Sequence, residues 1–453
     1  MAETRINIFT MNCWGLKYVS KFRIERIRAL ASELSKSTEY DIVALQELWV
    51  YSDFEHVRDM LSGHLPQAKF FYSGALGAGL AIFTRFPIIS TEVHPYSLNG
   101  EPIDVGGGDW FVGKAAASVV LSHPVLGQLQ VMNTHLYAKG GEDGPEYRRA
   151  HRLIGAWELA KIARQAAELG RYVIAVGDYN SIPSTLPIAI IRQHAGFSDS
   201  WLVTHPFSNA SATIPSSPQD AIDEFGVTGD SPINSWSAGK SFDPQTSQNF
   251  GKRLDYVFYR QPRLLPHLNG ASIPTLRSTD CRVMFTQEVP GATYSFSDHF
   301  GLRATIEIQN PSDTKPASAS APDLESAESQ NAWSSAADSA EPSELSDATL
   351  TIMLEALSQA YQISKRRSRK ELSVFILCVL VLSAVIISSP WFPHSWISPI
   401  FMVFNVAVAW WGTTMLYEGF LFGNWERNAY MNTIEELEIH QKALEAEGRR
   451  QAI

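Results

Sequence analysis

The sequence predicts an α+β fold: a four-layer α/β sandwich of two packed β-sheets flanked by helices, followed by a C-terminal two-helix transmembrane hairpin. Three observations carry this. From Ile6 to about Ile308, short apolar runs of strand length alternate with helical patterns, and several consecutive strands have no helix between them. A doubly wound parallel sheet does not accommodate that, whereas two packed sheets with helices outside do. Residues 309–346 then turn to Ser, Ala, Pro and acids, which cannot bury a core and are expected to form a disordered linker. Finally, two apolar runs, Leu372–Ser389 and Ile397–Tyr417, lie near the C-terminus.

Within residues 1–308, strands are expected at Ile6–Thr10, Asp41–Leu45, Leu80–Thr84, Ala116–Leu121, Gln130–Thr134, Tyr172–Val176, Leu254–Tyr259 and Leu302–Ile308. Helices are expected at Lys21–Ser35, Asp53–Ser62 and Glu146–Leu169, the last with Leu153, Trp157, Ala160 and Ala163 at helical spacing. Residues 347–370 form a juxtamembrane segment, with a short amphipathic helix at Leu350–Ile363 and a basic cluster, Lys365, Arg366, Arg367, Arg369 and Lys370. A helix needs roughly 17–25 residues to cross the hydrocarbon core, so both apolar runs qualify, the first only just. The hairpin occupies 371–418, and Pro390–Trp396 suits a tight interfacial turn. The basic cluster places its own side of the membrane in the cytosol, and with it the catalytic segment and a polar helical tail, 419–453. The short first span points to a thin bilayer, the endoplasmic reticulum before the mitochondrial outer membrane.

Charge and cysteine narrow the function. Net charge is −10, but residues 1–308 hold 27 Lys+Arg against 30 Asp+Glu, so the acidic excess belongs to the tail. That near-neutral segment lacks the cationic face that nucleic-acid backbones require, and no nucleic-acid partner is expected. Cys13, Cys281 and Cys378 form no CxxC or Cys/His pattern, which argues against zinc and for a reducing compartment. Met1–Arg5 has no apolar stretch of the kind a cleaved signal peptide needs.

Six short elements carry polar residues able to hold a metal or a phosphate. Five follow strand ends: Met11-Asn12-Cys13-Trp14-Gly15, Leu45-Gln46-Glu47, Asn133-Thr134-His135, Gly177-Asp178-Tyr179-Asn180 and Ser297-Asp298-His299. A sixth, Arg253-Leu254-Asp255-Tyr256, opens a strand. Each alone reads as a turn or helix cap. Together and in this order they are specific. A glycine-rich segment, Gly108-Asp-Trp-Phe-Val-Gly-Lys114, imitates a nucleotide-binding loop, but Ala115 replaces the hydroxyl that would hold Mg²⁺, and Trp110 and Phe111 replace small residues. ATP binding is excluded on those grounds.

The order and wording of these elements resemble the endonuclease/exonuclease/phosphatase, DNase I-like superfamily. Within it the chain is most similar to neutral sphingomyelinases and to the fungal inositol phosphosphingolipid phospholipases C. The resemblance covers residues 5–308, with the hairpin extending it. Its specific pieces are Asn12-Cys-Trp-Gly15, the 108–114 loop and Ala150-His-Arg with Ala156-Trp-Glu-Leu159. The insertion holding Asp230-Ser-Pro-Ile-Asn-Ser-Trp236 is closer to the fungal branch.

The resemblance implies a phospholipase C-type hydrolysis of membrane phosphosphingolipids, inositol-bearing or sphingomyelin, to ceramide and a phosphorylated head group. It implies Mg²⁺, a hard cation that keeps several waters, held by Glu47 with Asn12 beside it. Asp298 either approaches the metal or positions its neighbour. His299 is the expected base activating water, with Asp255 orienting it. Asp178 and Asn180 are expected to hold phosphate or attacking water, and His135 to donate toward the leaving oxygen. Asp109 and Lys114 are expected to pair and set their loop over the site. Asn234 and Trp236 are assigned to head-group selection, and the 365–370 cations to anionic phospholipid activators. The hairpin also offers a route to a homodimer. The same fold admits a nuclease or inositol-polyphosphate phosphatase, disfavoured by the charge balance and hairpin. An inactive membrane-anchored scaffold is disfavoured by the joint presence of Glu47, Asp178, Asp255 and His299.

Overall fold

A computed structural model describes residues 4–139, 146–206, 214–263, 273–309 and 345–451. Residues 310–344, nearly all of the expected linker, and 207–213, in the stretch before the Asp230–Trp236 insertion, therefore lie outside the described residues.

Two six-stranded mixed sheets face each other. The first contains β1 (Arg5–Asn12), β2 (Ile42–Gln46), β3 (Gln67–Phe71), β4 (Leu80–Thr84), β11 (Thr275–Met284) and β12 (Gly301–Gln309), ordered β11-β12-β1-β2-β4-β3. The second contains β5 (Ile88–Pro95), β6 (Ala115–His123), β7 (Gly127–His135), β8 (Tyr172–Asp178), β9 (Ser198–Asp199) and β10 (Asp255–Arg260), ordered β5-β6-β7-β8-β10-β9. Alternation along the strands sends Ile6, Ile8, Ile42 and Ile82 inward against Val119, Val131, Ile174 and Val257, which closes the inter-sheet core.

Helices cover the outer faces. α1 (Arg23–Lys36) and α2 (Tyr51–Leu61) bury Ile27, Leu30, Leu34, Phe54 and Val57 against Phe9, Val43 and Phe83 of the first sheet. α3 (Glu146–Glu168) and α4 (Leu186–Ala195) cover the second, packing Leu153, Trp157 and Ile190 on Met132, Ala175 and Phe258. Short helices α5 (Ser200–Thr204), α6 (Pro218–Asp223) and α7 (Pro244–Gln248) lie between β9 and β10.

The C-terminal region departs from expectation in continuity. The amphipathic segment, the basic cluster and the first apolar run form one helix, α8 (Asp347–Ser388), capped at its start by the Ser346 side chain. α9 (Ile397–Leu416) runs through a π-helical turn, Tyr417–Phe422, into α10 (Gly423–Gln451). The near ends of α8 and α10 are not free. Leu350, Met353, Leu357, Tyr430, Ile434 and Leu437 join the core of α3, adding a layer beyond the four expected. Farther out, apolar side chains of α8 and α9 such as Leu380, Ile387, Met402 and Val406 are exposed, and both helices are long and apolar enough to cross a membrane.

Candidate active site

The site lies where the two sheets present the same ends. In the first sheet, β1 and β2 run parallel and finish level, Asn12 opposite Gln46, with Glu47 one residue on. Glu47 adopts φ 53°, a left-handed conformation that costs a non-glycine residue energy and clusters at functional sites. Gly15 makes the turn fit: its N–H donates to the Glu47 carbonyl at 2.9 Å, and a Cβ there would stand 2.4 Å from that oxygen.

In the second sheet the register aligns three residues in one row. His135 of β7 pairs with Asp178 of β8, and Asp178 pairs with Asp255 of β10. The sheets are tied just below by amides: Gln46 Nε2 donates to Asn133 Oδ1 at 2.7 Å, and Asn133 Nδ2 donates to the Leu45 and Ala81 carbonyls. His299 arrives on the segment before β12, bridged to Gly229.

These placements produce two interacting groups. His299 Nδ1 stands 2.8 Å from Asp255 Oδ2, and its Nε2 lies 3.8 Å from Asp178 Oδ2. Burial works against a charged His299, but Asp255 and Asp178 outweigh it and lift the imidazole well above its usual range. Across the cleft, Asn12 Nδ2 donates to both Glu47 Oε1 and Asp178 Oδ2 at 3.0 Å. Burial, then the neighbouring Asp298 charge, pushes Glu47 up to about 7. Asp178 is also raised by burial.

A cation fits this donor set. Glu47 and Asp178 offer hard oxygens to either side of the Asn12 amide, and Asp298 is close enough to repel the Glu47 carboxylate, a repulsion that a divalent ion relieves. Asp178, Asp255 and His299 also hold ligand atoms within 4.8 Å of one another. The His299–Asp255 hydrogen bond already occupies that trio, so the Glu47 side suits a hard ion better. Asn12 presents its NH₂ to Glu47 and its Oδ1 to the Trp14 N–H. To act as a ligand its amide must turn over.

Lys114 is buried, paired with Asp109 at 2.9 Å, and reaches His135 Nε2 at 3.1 Å and the Leu136 carbonyl at 2.9 Å. Burial, Lys114 and His299 hold His135 neutral, its Nε2 accepting from the ammonium. His135 therefore stands where expected but as an acceptor, and the donor on that side is Lys114. Asn180, at φ 47°, donates to the Leu136 carbonyl at 2.9 Å and borders Asp178.

Two expected assignments take other places. Asn234 is buried, with its NH₂ on the Ser297 carbonyl at 2.9 Å, and Trp236 Nε1 donates to the Ser295 carbonyl at 2.9 Å. Asn234 cannot meet a head group; both residues brace the segment carrying His299. Arg367 is not a free lipid contact: it pairs with Glu101, and with Glu426 at 2.5 Å. Arg366, Arg369 and Lys370 are exposed and Lys365 half-buried.

One residue escaped sequence reasoning. Arg26, wholly buried, donates to the carbonyls of Cys13 (2.9 Å), Trp14 (2.6 Å), Phe296 (2.8 Å) and Lys21 (2.9 Å), with its guanidinium 4.8 Å from the Trp14 ring. It clamps the Asn12 loop to the His299 segment. A lone arginine amid Ile27, Leu30 and Leu34 on the apolar stripe of α1 was the available signal.

Residues 9–299 match the model of the Endonuclease/Exonuclease/phosphatase family. The chain is 31% identical to an inositol phosphosphingolipids phospholipase C of Schizosaccharomyces pombe, over 97% of this chain and 95% of that one. The chain belongs to this family. It is also 33% identical to the sphingomyelin phosphodiesterase 2 of Homo sapiens, over 68% of this chain and 68% of that one. Among solved structures it is similar to SmcL, at 18% identity and TM-score 0.45, over 66% of this chain and 98% of that one. The phospholipase likeness, covering 97% of this chain, takes in the C-terminal helices as well as the two sheets.

Proposed function

We propose that the chain is a membrane-anchored, Mg²⁺-dependent phosphoric diester hydrolase that cleaves phosphosphingolipids to ceramide and a phosphorylated head group. The observation that carries this reading is the His299–Asp255 pair, 2.8 Å apart, with the second imidazole nitrogen turned to the cleft lined by Glu47, Asp178 and Lys114. No covalent intermediate is needed.

His299 Nε2, when neutral, takes a proton from a water held against Asp178 and Asn180. The water oxygen bonds to phosphorus as the bond from phosphorus to the ceramide oxygen breaks, and that oxygen gains its proton from the Lys114 side. Asp255 fixes the ring and stabilises the imidazolium formed. Mg²⁺, held by Glu47 with Asp298 near, would neutralise charge on the phosphoryl oxygens. α8 and α9 would span the bilayer, with the exposed cations Arg366, Arg369 and Lys370 at the head-group layer of the cytosolic face of the endoplasmic reticulum, where anionic phospholipids activate.

The test uses the detergent-solubilised full chain with labelled inositol phosphoceramide and sphingomyelin in parallel, with and without Mg²⁺. Ceramide release that needs Mg²⁺ and disappears in His299→Ala is expected, and the ratio of rates names the head group. No ceramide from either lipid sinks the reading.

A further inference from the structure

The connection between β5 and β6, residues 96–114, leads from the active site to the hairpin. At its far end Lys114 and Asp109 border the cleft. In its middle it leans on the place where the apolar run of α9 stops. Glu101 pairs with Arg367, the Ile103 backbone amide acts on the Glu418 carboxylate, and Trp110 meets Tyr417 edge-on with ring centres 6.4 Å apart. Trp425 Nε1 holds the start of the loop through the Ser97 carbonyl at 2.9 Å.

The tip, Pro102–Gly108, is thereby fixed beside the end of a span, at the level of the exposed cations of α8. Its composition suits that position. Ile103 is 40% and Val105 70% exposed. The only charge in the tip, Asp104, is turned back into the protein by an ion pair with Lys139 and by the Gly107 N–H at 3.1 Å. Next to it the hairpin exposes Tyr417, Phe420 and Leu421. Two separate stretches of chain thus bring exposed apolar side chains together beside the end of the span.

We propose that Ile103 and Val105 enter the interfacial layer of the lipid bilayer as a third, non-spanning anchor. This rests on the reading that α8 and α9 span the bilayer. Apolar side chains beside a membrane helix are stable when set at the boundary between head groups and acyl chains. The anchor holds Asp109 and the mouth of the cleft at the depth of lipid phosphodiesters, so a substrate lipid need not leave the bilayer to be cleaved.

The experiment places a nitroxide on single cysteines, Val105→Cys, Ile103→Cys, Val403→Cys and Ile89→Cys, in the full chain reconstituted in phosphatidylcholine and phosphatidylserine vesicles. Oxygen and a water-soluble nickel chelate serve as relaxants. The native cysteines are buried. Val403 is 72% exposed on α9, and Ile89 is 56% exposed at the end of β5 remote from the site. Positions 105 and 103 are expected to favour oxygen as 403 does, and 89 to favour the chelate. If 103 and 105 behave like 89 while 403 favours oxygen, the anchor is overturned and the spanning reading stands. If 403 also favours the chelate, both fall. In parallel, Val105→Asp is expected to lower ceramide release from vesicles several-fold and to leave hydrolysis of a monomeric short-chain substrate unchanged; equal loss on both substrates overturns the proposal.

Discussion

His299 Nδ1 and Asp255 Oδ2 stand 2.8 Å apart although 44 residues separate them in the chain. Asp255 is held there by strand register with Asp178, and His299 by its bridge to Gly229. The carboxylate therefore fixes both the tautomer and the direction of the imidazole, leaving Nε2 as the proton acceptor in the cleft.

Asp255→Asn keeps the shape but offers the ring an amide. Turnover is expected to fall by about 10⁴-fold, by analogy with the loss of an orienting carboxylate elsewhere. Substrate KM and the thermal unfolding temperature should change little. A loss under tenfold would show that Asp255 does not orient the base.

The raised Glu47 and His299 predict proton release when a cation binds. Both groups carry protons near neutral pH without metal, since Glu47 lies at about 7 and His299 well above its usual range. A divalent ion favours the deprotonated forms. Calorimetric titration of Mg²⁺ at pH 7, in two buffers of different ionisation enthalpy, should show net release that shrinks in Glu47→Gln. Buffer-independent heats would contradict this.

Arg26→Ala strips donors from four carbonyls. Leaving buried acceptors unpaired costs about 1–3 kcal/mol each at most, so a drop in stability of roughly 3 kcal/mol or more is expected. Arg26→Lys keeps the charge but not the planar fork. It should fold, bind Mg²⁺ more weakly and turn over more slowly, because the Asn12 loop and His299 segment are no longer clamped together. Unchanged metal affinity and kcat in the lysine variant would reduce Arg26 to a packing residue.

Docking of α10 on α3 should depend on acid. His151 Nε2 meets Glu426 Oε1 at 2.9 Å, its Nδ1 accepting from the Gly100 N–H. Burial alone would raise Glu426, but His151 and Arg367 together with Ser364 outweigh it and hold the carboxyl down to about 2, from 4.5. A depressed carboxyl stabilises the folded state above its unfolded value and loses that contribution as pH falls toward the folded one. Hydrogen-exchange protection along α3 and α10 should hold above pH 4.5 and fall between there and about 2. Glu426→Gln should weaken protection already at neutral pH and flatten that dependence.

Much of the fold was legible because its signals are local. The short apolar runs of β1, β2 and β8, the helical spacing in α3 and the longer apolar runs of α8 and α9 are each written within a few dozen residues. Four strands were missed: β3 and β9 are short, β5 is largely exposed, and β11 is interrupted by a bulge at Ser278/Asp280. α4 was missed because it is buried on every side and shows no polar face.

The sequence by itself determined the order of eight of the strands and the longer helices, the polar residues at strand ends and two segments apolar enough to span a membrane. These follow from backbone periodicity and side-chain hydrophobicity, which neighbours along the chain decide. Only the tertiary structure decided that His135 accepts from Lys114, that Asn234 braces Ser297, and that Arg367 pairs with Glu101 and Glu426. His151 and Glu426, which pair, are 275 residues apart. No local pattern encodes such a pair, because what selects it is the cost of leaving a buried charge unmatched once the helices pack.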